Sequence, residues 1–292
     1  MSVEIIALTE LADMYDAVEL QKDYWGGNIE SVVPSHMLFT IVKTGGHVLA
    51  GYDSGRMVGV LISVLATTSN HNTPVKLDSL AIYSKRMVVL SEYRGRGIGN
   101  DLKWAQRDIA IQQGIEKVIW TYDPLLSRNA HLNIRKLGCV CTTYHVDYFG
   151  SDQATGLATG GASDRFGVIW HVNDPDVVRR SDNTFIPMTL EGYLDNGARV
   201  VNPAKHEGGF VFPDENGELP FSGASGCYLV EIPLQFPELL ARDSHLGSRW
   251  IRHMRTIFTE NEFGFKVVDF VRGHYDGHER GFYLVEYPSM LG

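Results

Sequence analysis

Residues 84–99, Ser-Lys-Arg-Met-Val-Val-Leu-Ser-Glu-Tyr-Arg-Gly-Arg-Gly-Ile-Gly, constrain this chain more than any other segment. The apolar run 87–90 reads as a strand entering a tight basic turn. The turn opens a helix whose apolar residues Ile98, Leu102, Ala105 and Ile109 recur at helical spacing. Gly95, Gly97 and Gly99 place no side chain between backbone and ligand, so successive N–H groups at the helix start can hold phosphate oxygens. Arg94 and Arg96 add charge where a pyrophosphate would sit. A P-loop needs Gly-x-x-x-x-Gly-Lys-Ser/Thr, and no Lys-Ser/Thr pair follows. A dinucleotide turn needs Gly-x-Gly-x-x-Gly, and Gly95-x-Gly97-x-Gly99 is one residue shorter. The plainer alternative is a glycine-rich strand-to-helix turn with surface arginines.

Period and punctuation predict the neighbouring elements. Residues 3–8 read as a first strand and 11–25 as an amphipathic helix ended by Gly26-Gly27. Pro34 opens a second helix to about residue 43. Gly45-Gly46 leads into a hairpin of 47–52 and 56–65, and a polar loop at 67–76 precedes the long strand ending at Leu90. After Gly114 come a strand at 117–122, the breaker Asp123-Pro124, and a short helix from about 127 to 137 closed by Gly138. A further strand carries Cys139 and Cys141. This order predicts an α/β fold, a mixed sheet with helices on both faces.

Residues 151–163 are small and have little to bury, so they read as a loop or linker. The expected organisation is a first domain at 1–150, a linker at 151–165 and an α+β C-terminal domain at 166–292, packed on the first. The last contains a strand at 167–172, a loop-rich stretch, a strand at 227–232 and a long helix at about 237–261. Two final strands fall at 265–272 and 281–287.

Arg94, Gly97 and Gly99, as Arg-x-x-Gly-x-Gly directly after a strand, resemble the pyrophosphate-binding motif of the GNAT superfamily of coenzyme A-dependent N-acyltransferases. Residues 129–138, Asn-Ala-His-Leu-Asn-Ile-Arg-Lys-Leu-Gly, are similar to the family's Asn…Tyr-x-Lys-Leu-Gly signature. Ile134 stands where many members have the tyrosine that protonates the leaving thiolate. Tyr122-Asp-Pro, Ser127-Arg-Asn-Ala, Ser163-Asp-Arg-Phe166, Gly45-Gly46 and the helix with Trp250, Arg255 and Phe258 extend the likeness over nearly the whole chain. Together they resemble a little-characterised subgroup of predicted acetyltransferases with a C-terminal extension.

The resemblance implies acyl transfer (acetyl or larger, such as succinyl) from acyl-CoA to the amine of a small metabolite or amino acid. Acyl-CoA is the co-substrate, and no metal takes part. Carried onto this chain, Val88, Val89, Leu90, Arg94, Gly95, Arg96, Gly97, Ile98 and Gly99 hold the cofactor, with Asn129 near its pantetheine or thiol end. A backbone N–H within 87–90 polarises the thioester carbonyl. A homodimer is an assembly the family allows. Two rivals stand beside this: a non-catalytic acyl-CoA binding or regulatory module, and a CoA thioester hydrolase or decarboxylase on the same fold.

For the base, period-two alternation places Tyr83, Lys85, Met87 and Val89 on one face. Family members commonly have His or Glu near the positions of Tyr83 and Lys85. A lysine serves as base only if burial lowers its pKa by several units, so Lys85 reads better as an anchor for a substrate carboxylate and Tyr83 as a cleft wall. The thiolate's proton comes from Tyr122, Tyr144 or water.

A net charge of −9 disfavours nucleic acid as partner. No apolar run reaches membrane-span or signal length, which suggests a soluble, cytoplasmic protein. Cys139, Cys141 and Cys227 are an odd set and suit reduced core thiols. His274 and His278 have a four-residue spacing that suits a metal only on a helix, and Asp276-Gly277 signals a turn instead. Residues 222–227 fail as a nucleophile elbow because Cys227 takes the place of the last glycine. Arg249, Arg252 and Arg255 suggest a salt-bridged helix edge.

Overall fold

The computed structural model describes residues 3–25, 32–69, 72–150, 162–215, 226–260 and 264–287. Gly26-Gly27, the linker as far as residue 161, residues 222–225 of the false elbow and Asn261 lie outside them. The chain runs β1 Glu4–Leu8, α1 Leu11–Trp25, α2 Ser35–Lys43, β2 His47–Asp53, β3 Arg56–Thr67, β4 Leu80–Val89, α3 Ile98–Gln112 and β5 Lys117–Tyr122. Next come α4 Ser127–Ala130, β6 Val140–His145, β7 Arg165–His171, α5 Pro175–Ser181, α6 Leu190–Asp195, β8 Arg199–Val200, β9 Lys205–Glu207 and β10 Phe210–Phe212. It ends with β11 Gly226–Ile232, α7 Phe236–Arg242, α8 Ser244–Thr259, β12 Lys266–Tyr275 and β13 His278–Tyr287.

Two compact units divide the chain: Met1–Trp120 with Trp170–Ser181, and Thr121–Ile169 with Asp182–Gly292. Two of the three cuts fall inside β5 and β7 and the third after α5, whereas composition suggests a boundary after residue 150.

In the first unit the strands lie in the order β1-β2-β3-β4-β5. The first four are antiparallel, and β5 joins β4 in parallel through Ile82↔Val118 and Tyr83↔Ile119. One face carries Val48, Ala50, Val60, Ile62 and Val88, and it buries Met14 and Ala17 of α1 with Leu38 and Ile41 of α2. The other carries Leu49, Val58 and Leu61 against Ile98 and Leu102 of α3. Alternating strands thus feed two apolar layers, one under each set of helices.

One expectation about this sheet needs correction. Ile62 pairs with Arg86 and Ser63 with Ser84, so Lys85 is an extra residue in β4, a β-bulge. The bulge reverses alternation. Tyr83 shares a face with Val64, Arg86 with Ile62 and Val88 with Val60, while Ser84, Met87 and Val89 lie on the α3 side. Tyr83 is therefore not on the face of Met87 and Val89.

In the second unit the strand order is β7-β6-β12-β13-β11-β8, with β9 and β10 as a separate hairpin. Its packing centres on Phe166, whose ring lies 4.8 Å from Phe258, 5.3 Å from Tyr283 and 5.6 Å from Tyr144. The helix expected over about 127–137 is α4 followed by a π-helical segment, His131–Lys136, in which Leu137 N–H reaches back five residues to Leu132 C=O at 3.0 Å. The helix expected over 237–261 is two helices. Asp243 breaks it with extended backbone (φ −148, ψ 96), and its carboxylate accepts from Leu246 N–H at 2.9 Å, capping α8. The loop-rich stretch holds α5, α6, β8, β9 and β10, elements of two to seven residues that are too short to display a period. Cys139 and Cys141 are buried free thiols as expected, but Cys227 is exposed.

Candidate functional site

Between β4 and α3 the chain makes one 3₁₀ turn, Ser91–Tyr93, and then presents Arg94 to Gly97 to solvent. Gly95 has φ +79 and Gly97 has φ +88, left-handed conformations that L side chains adopt only with strain. A Cβ on Gly95 would meet nothing within 4 Å, and one on Gly97 only Asp101 Oδ2 at 4.0 Å, so open space faces both backbones. Gly97 is the N-cap of α3 and supplies no side-chain cap, while Asp101 N–H already bonds Gly97 C=O at 3.0 Å. The N–H groups of Ile98, Gly99 and Asn100 keep their donors for an anion, with the helix dipole behind them.

The two arginines are held ready. Arg94 lies 5.2 Å from the centroid of the Tyr24 ring, and Arg96 lies 4.7 Å from that of Tyr93. Arg94 Nε also reaches Val89 C=O at 3.4 Å. A diphosphate fits this cradle: it offers exposed donors, positive charge and no Cβ in the way.

Upstream, β4 pairs with β3 as far as Val89, but its registered pairs with β5 end at Tyr83 among the described residues. The second edge of residues 84–89 is therefore without a strand partner there, so its backbone groups can meet a ligand. Lys85 is exposed at the bulge and Tyr83 is half-buried.

The residues assigned in the second unit have different surroundings. Tyr122 is buried and its hydroxyl donates to Tyr283 Oη at 3.2 Å, which donates in turn to Pro124 C=O at 2.6 Å. Burial, then the neighbouring Tyr283, push the Tyr122 phenol well above its ordinary range. Asn129 is half-buried on α4, and Ile134 is fully buried in the π segment. Tyr144 donates to Asp164 at 2.7 Å, and Arg255 holds the same carboxylate through two hydrogen bonds of 2.8 Å. Arg249 pairs with Glu215 at 2.7 Å, so two of the three arginines on α8 are salt-bridged as expected. His274 and His278 lie on the two strands of a hairpin turned at Asp276-Gly277. Among the described residues no group of three or more His, Cys, Asp and Glu could hold a metal ion.

Sequence reasoning missed a buried polar cluster beneath the α3 face of the first sheet. Lys103, 2% exposed, donates to Ser84 Oγ at 2.8 Å and to Gln106 Oε1 at 3.1 Å. Gln106 donates to Ser63 Oγ. His47, paired across the strands with Ser63, is buried with neither ring nitrogen hydrogen-bonded among the described residues. Burial, and then the charge of Lys103, lower its pKa from 6.5 to about 4. Helical spacing counts Lys and Gln as outward residues, so only the polar side chains at Ser63 and Ser84, both within strands, gave any signal.

Residues 14–138 match the family model described as Acetyltransferase (GNAT) family. Over these residues the chain carries a domain of the GNAT acetyltransferase family, with that family's mixed α/β architecture. Solved structures similar to it include the ribosomal-protein-S18-alanine N-acetyltransferase from Escherichia coli, at 15% identity and TM-score 0.45 over 59% of this chain and 94% of that one. Another is an IAA acetyltransferase from Bacillus cereus, at 16% identity and TM-score 0.40 over 57% and 98%. A third is Arabidopsis thaliana Naa50 in complex with a bisubstrate analogue, at 15% identity and TM-score 0.43 over 58% and 98%. No curated protein matches the chain. No helix among the described residues is long and apolar enough to cross a membrane.

Proposed function

We propose that this protein transfers an acyl group from acyl-CoA to the amine of a small metabolite or amino acid. The observation that carries this reading is the uncapped, glycine-lined start of α3, which follows β4 through one 3₁₀ turn, inside the span that matches the GNAT family. Acyl-CoA supplies the activated thioester. Arg94, Gly95, Arg96, Gly97, Ile98 and Gly99 hold its pyrophosphate, the backbone of Val88, Val89 and Leu90 orients the thioester end, and the resemblance to the family assigns Asn129 to the thiol end. Lys85 anchors a carboxylate of the acceptor, Tyr83 forms a wall, and the attacking amine gives its proton to water. Tyr122 is tested as proton donor by Tyr122→Phe: a loss of about 10²-fold or more in turnover marks it as the donor, full turnover leaves that proton to Tyr144 or water, and full turnover in Tyr144→Phe as well leaves it to water.

The fully buried Ile134 at the tyrosine position favours one rival, an acyl-CoA binding module without turnover. Free-thiol release, followed with acetyl-CoA and succinyl-CoA against a panel of amines and amino acids, separates the readings. Amine-dependent release with acylated product supports transfer. CoA binding without release overturns it in favour of the module, and release independent of amine identifies a thioester hydrolase.

A further inference from the structure

A cavity of about 430 Å³ lies wholly within the second unit, against β10, β11, α7 and β13. Its most buried charged members are Glu231 and Arg280, with side chains 2% and 3% exposed and their Oε2 and Nη1 atoms 3.0 Å apart. Glu231 Oε2 also accepts from Ala204 N–H at 2.8 Å, and Arg280 Nη1 also donates to Ala204 C=O at 3.0 Å. Arg280 Nε is buried without a hydrogen-bond partner among the described residues, and so is His206 Nε2, 3.6 Å from Glu231 Oε1. The His206 ring stacks on His278 at 4.3 Å. A buried ion pair is costly to desolvate, and an orphaned buried donor adds to that cost. Kept on a cavity wall, such an arrangement points to a ligand that completes it.

The charge pattern narrows the ligand. Glu238, Glu279 and Arg242 are exposed at the same cavity, with Arg242 over the Phe210 ring at 4.3 Å. A multiply charged anion would face three carboxylates, and a simple cation would face two guanidiniums. Ile232, Leu234 and Leu239 add an apolar stretch of wall, beside the uncharged amide of Gln235.

We propose that this cavity binds a small zwitterion with an apolar body, the class of the free apolar α-amino acids. The carboxylate takes Arg242 with the Arg280 charge behind it, the ammonium takes Glu238 and Glu279, and the side chain lies against Phe210, Leu234 and Leu239. This site does not depend on the acyl-transfer reading.

Calorimetry on the full chain tests it with L-phenylalanine and L-leucine as probes, and with 3-phenylpropionate and 2-phenylethylamine as analogues lacking one charge. The expected result is saturable binding of at least one amino acid, with each analogue about tenfold or more weaker than L-phenylalanine, or both silent if L-leucine alone binds. Glu238→Gln and Arg242→Ala alter exposed side chains, and each weakens the amino acid about tenfold while circular dichroism and thermal unfolding stay those of the wild type. The proposal is overturned if neither amino acid binds up to about 10 mM, if an analogue matches L-phenylalanine, or if both variants bind as the wild type does. Binding that disappears in Gly97→Asp, the cradle variant, would assign it to the CoA site and overturn it too.

Discussion

The ammonium of Lys103 stands 3.5 Å from the centroid of the Trp120 ring, and it lies on the same α3 face of the sheet that buries His47. A cation over an indole is attracted to the ring face, most strongly when desolvated. Burial first, and then the same charge, lower the pKa of the neighbouring imidazole. Lys103→Met is expected to raise the pKa of His47 from about 4 while leaving it below 6.5, because burial is the larger cause. NMR titration of His47 reads this directly. Two neutral acceptors lose a donor in this variant, offset by removal of a buried charge, so stability is expected to change by less than about 2 kcal/mol in denaturant unfolding.

His47 also gives stability a pH dependence of defined sign. Its folded pKa of about 4 lies below the 6.5 of the unfolded chain, so between these values the unfolded state binds more protons. The contribution is complete above about pH 6.5 and is lost as pH falls toward 4, by roughly 3 kcal/mol in all. Denaturant unfolding at a series of pH values is expected to show this slope in the wild type and a flatter one in His47→Leu.

Gly97→Asp puts a carboxylate at the mouth of the cradle, beside Asp101, and forces an L residue into φ +88. CoA binding is expected to disappear. The site is exposed and the strain costs about 1–3 kcal/mol, so the fold persists with a lowered melting temperature. Unchanged CoA affinity in calorimetry, with normal circular dichroism, would remove the cradle assignment.

Lys85→Met separates an anchor from a base. With Lys85 exposed on the bulge, the expected outcome is a raised KM for acceptors that carry a carboxylate, an unchanged KM for plain amines and an unchanged kcat. A loss of kcat at saturation with KM unchanged would show that Lys85 moves a proton.

Arg255→Met is expected to destabilise the second unit by about 3 kcal/mol, because Asp164, buried at 6% exposure, would keep Tyr144 but lose its ionic partner on α8. Burial alone would raise the Asp164 carboxyl. Hydrogen bonds from Arg255, Tyr144 and the Asp147 N–H outweigh it and hold the group below its ordinary 3.8. Its stabilisation is therefore present above that value and is lost as pH falls through the lowered folded pKa. The wild type is expected to lose this share of stability only in strong acid, and Arg255→Met at milder acidity, as followed by tyrosine and tryptophan fluorescence.

What the sequence made legible was whatever repeats or punctuates. β5 and α1 fall where period and breakers place them, and the cradle is visible because glycine at alternate positions has few other uses. The bulge at Lys85 was hidden because an inserted strand residue needs no special side chain, and one such residue sufficed to misplace Tyr83. The break at Asp243 was readable as an N-cap but was masked by apolar spacing that runs through it. Lys103 and the Glu231–Arg280 pair were invisible for a common reason: a charged side chain is assigned to the surface unless its partner is known, and Ser84 lies far from Lys103 in sequence, as Glu231 does from Arg280.

A strand that gains one residue in its middle changes parity there. On β4, odd numbers before Lys85 and even numbers after it look toward the same helices, so Tyr83 belongs with Arg86 and Val88. Any scheme that carries residue roles along this strand by counting in twos goes wrong by one beyond that point. Deleting Lys85 would restore the count in twos while leaving Tyr83, Arg86 and Val88 on one face and Ser84, Met87 and Val89 on the other, because Ser84 already opposes Ser63 and Arg86 already opposes Ile62. The extra residue at position 85 is thus a phase shift in the count along this strand, and substitutions meant to reshape the cleft must be paired across it by face.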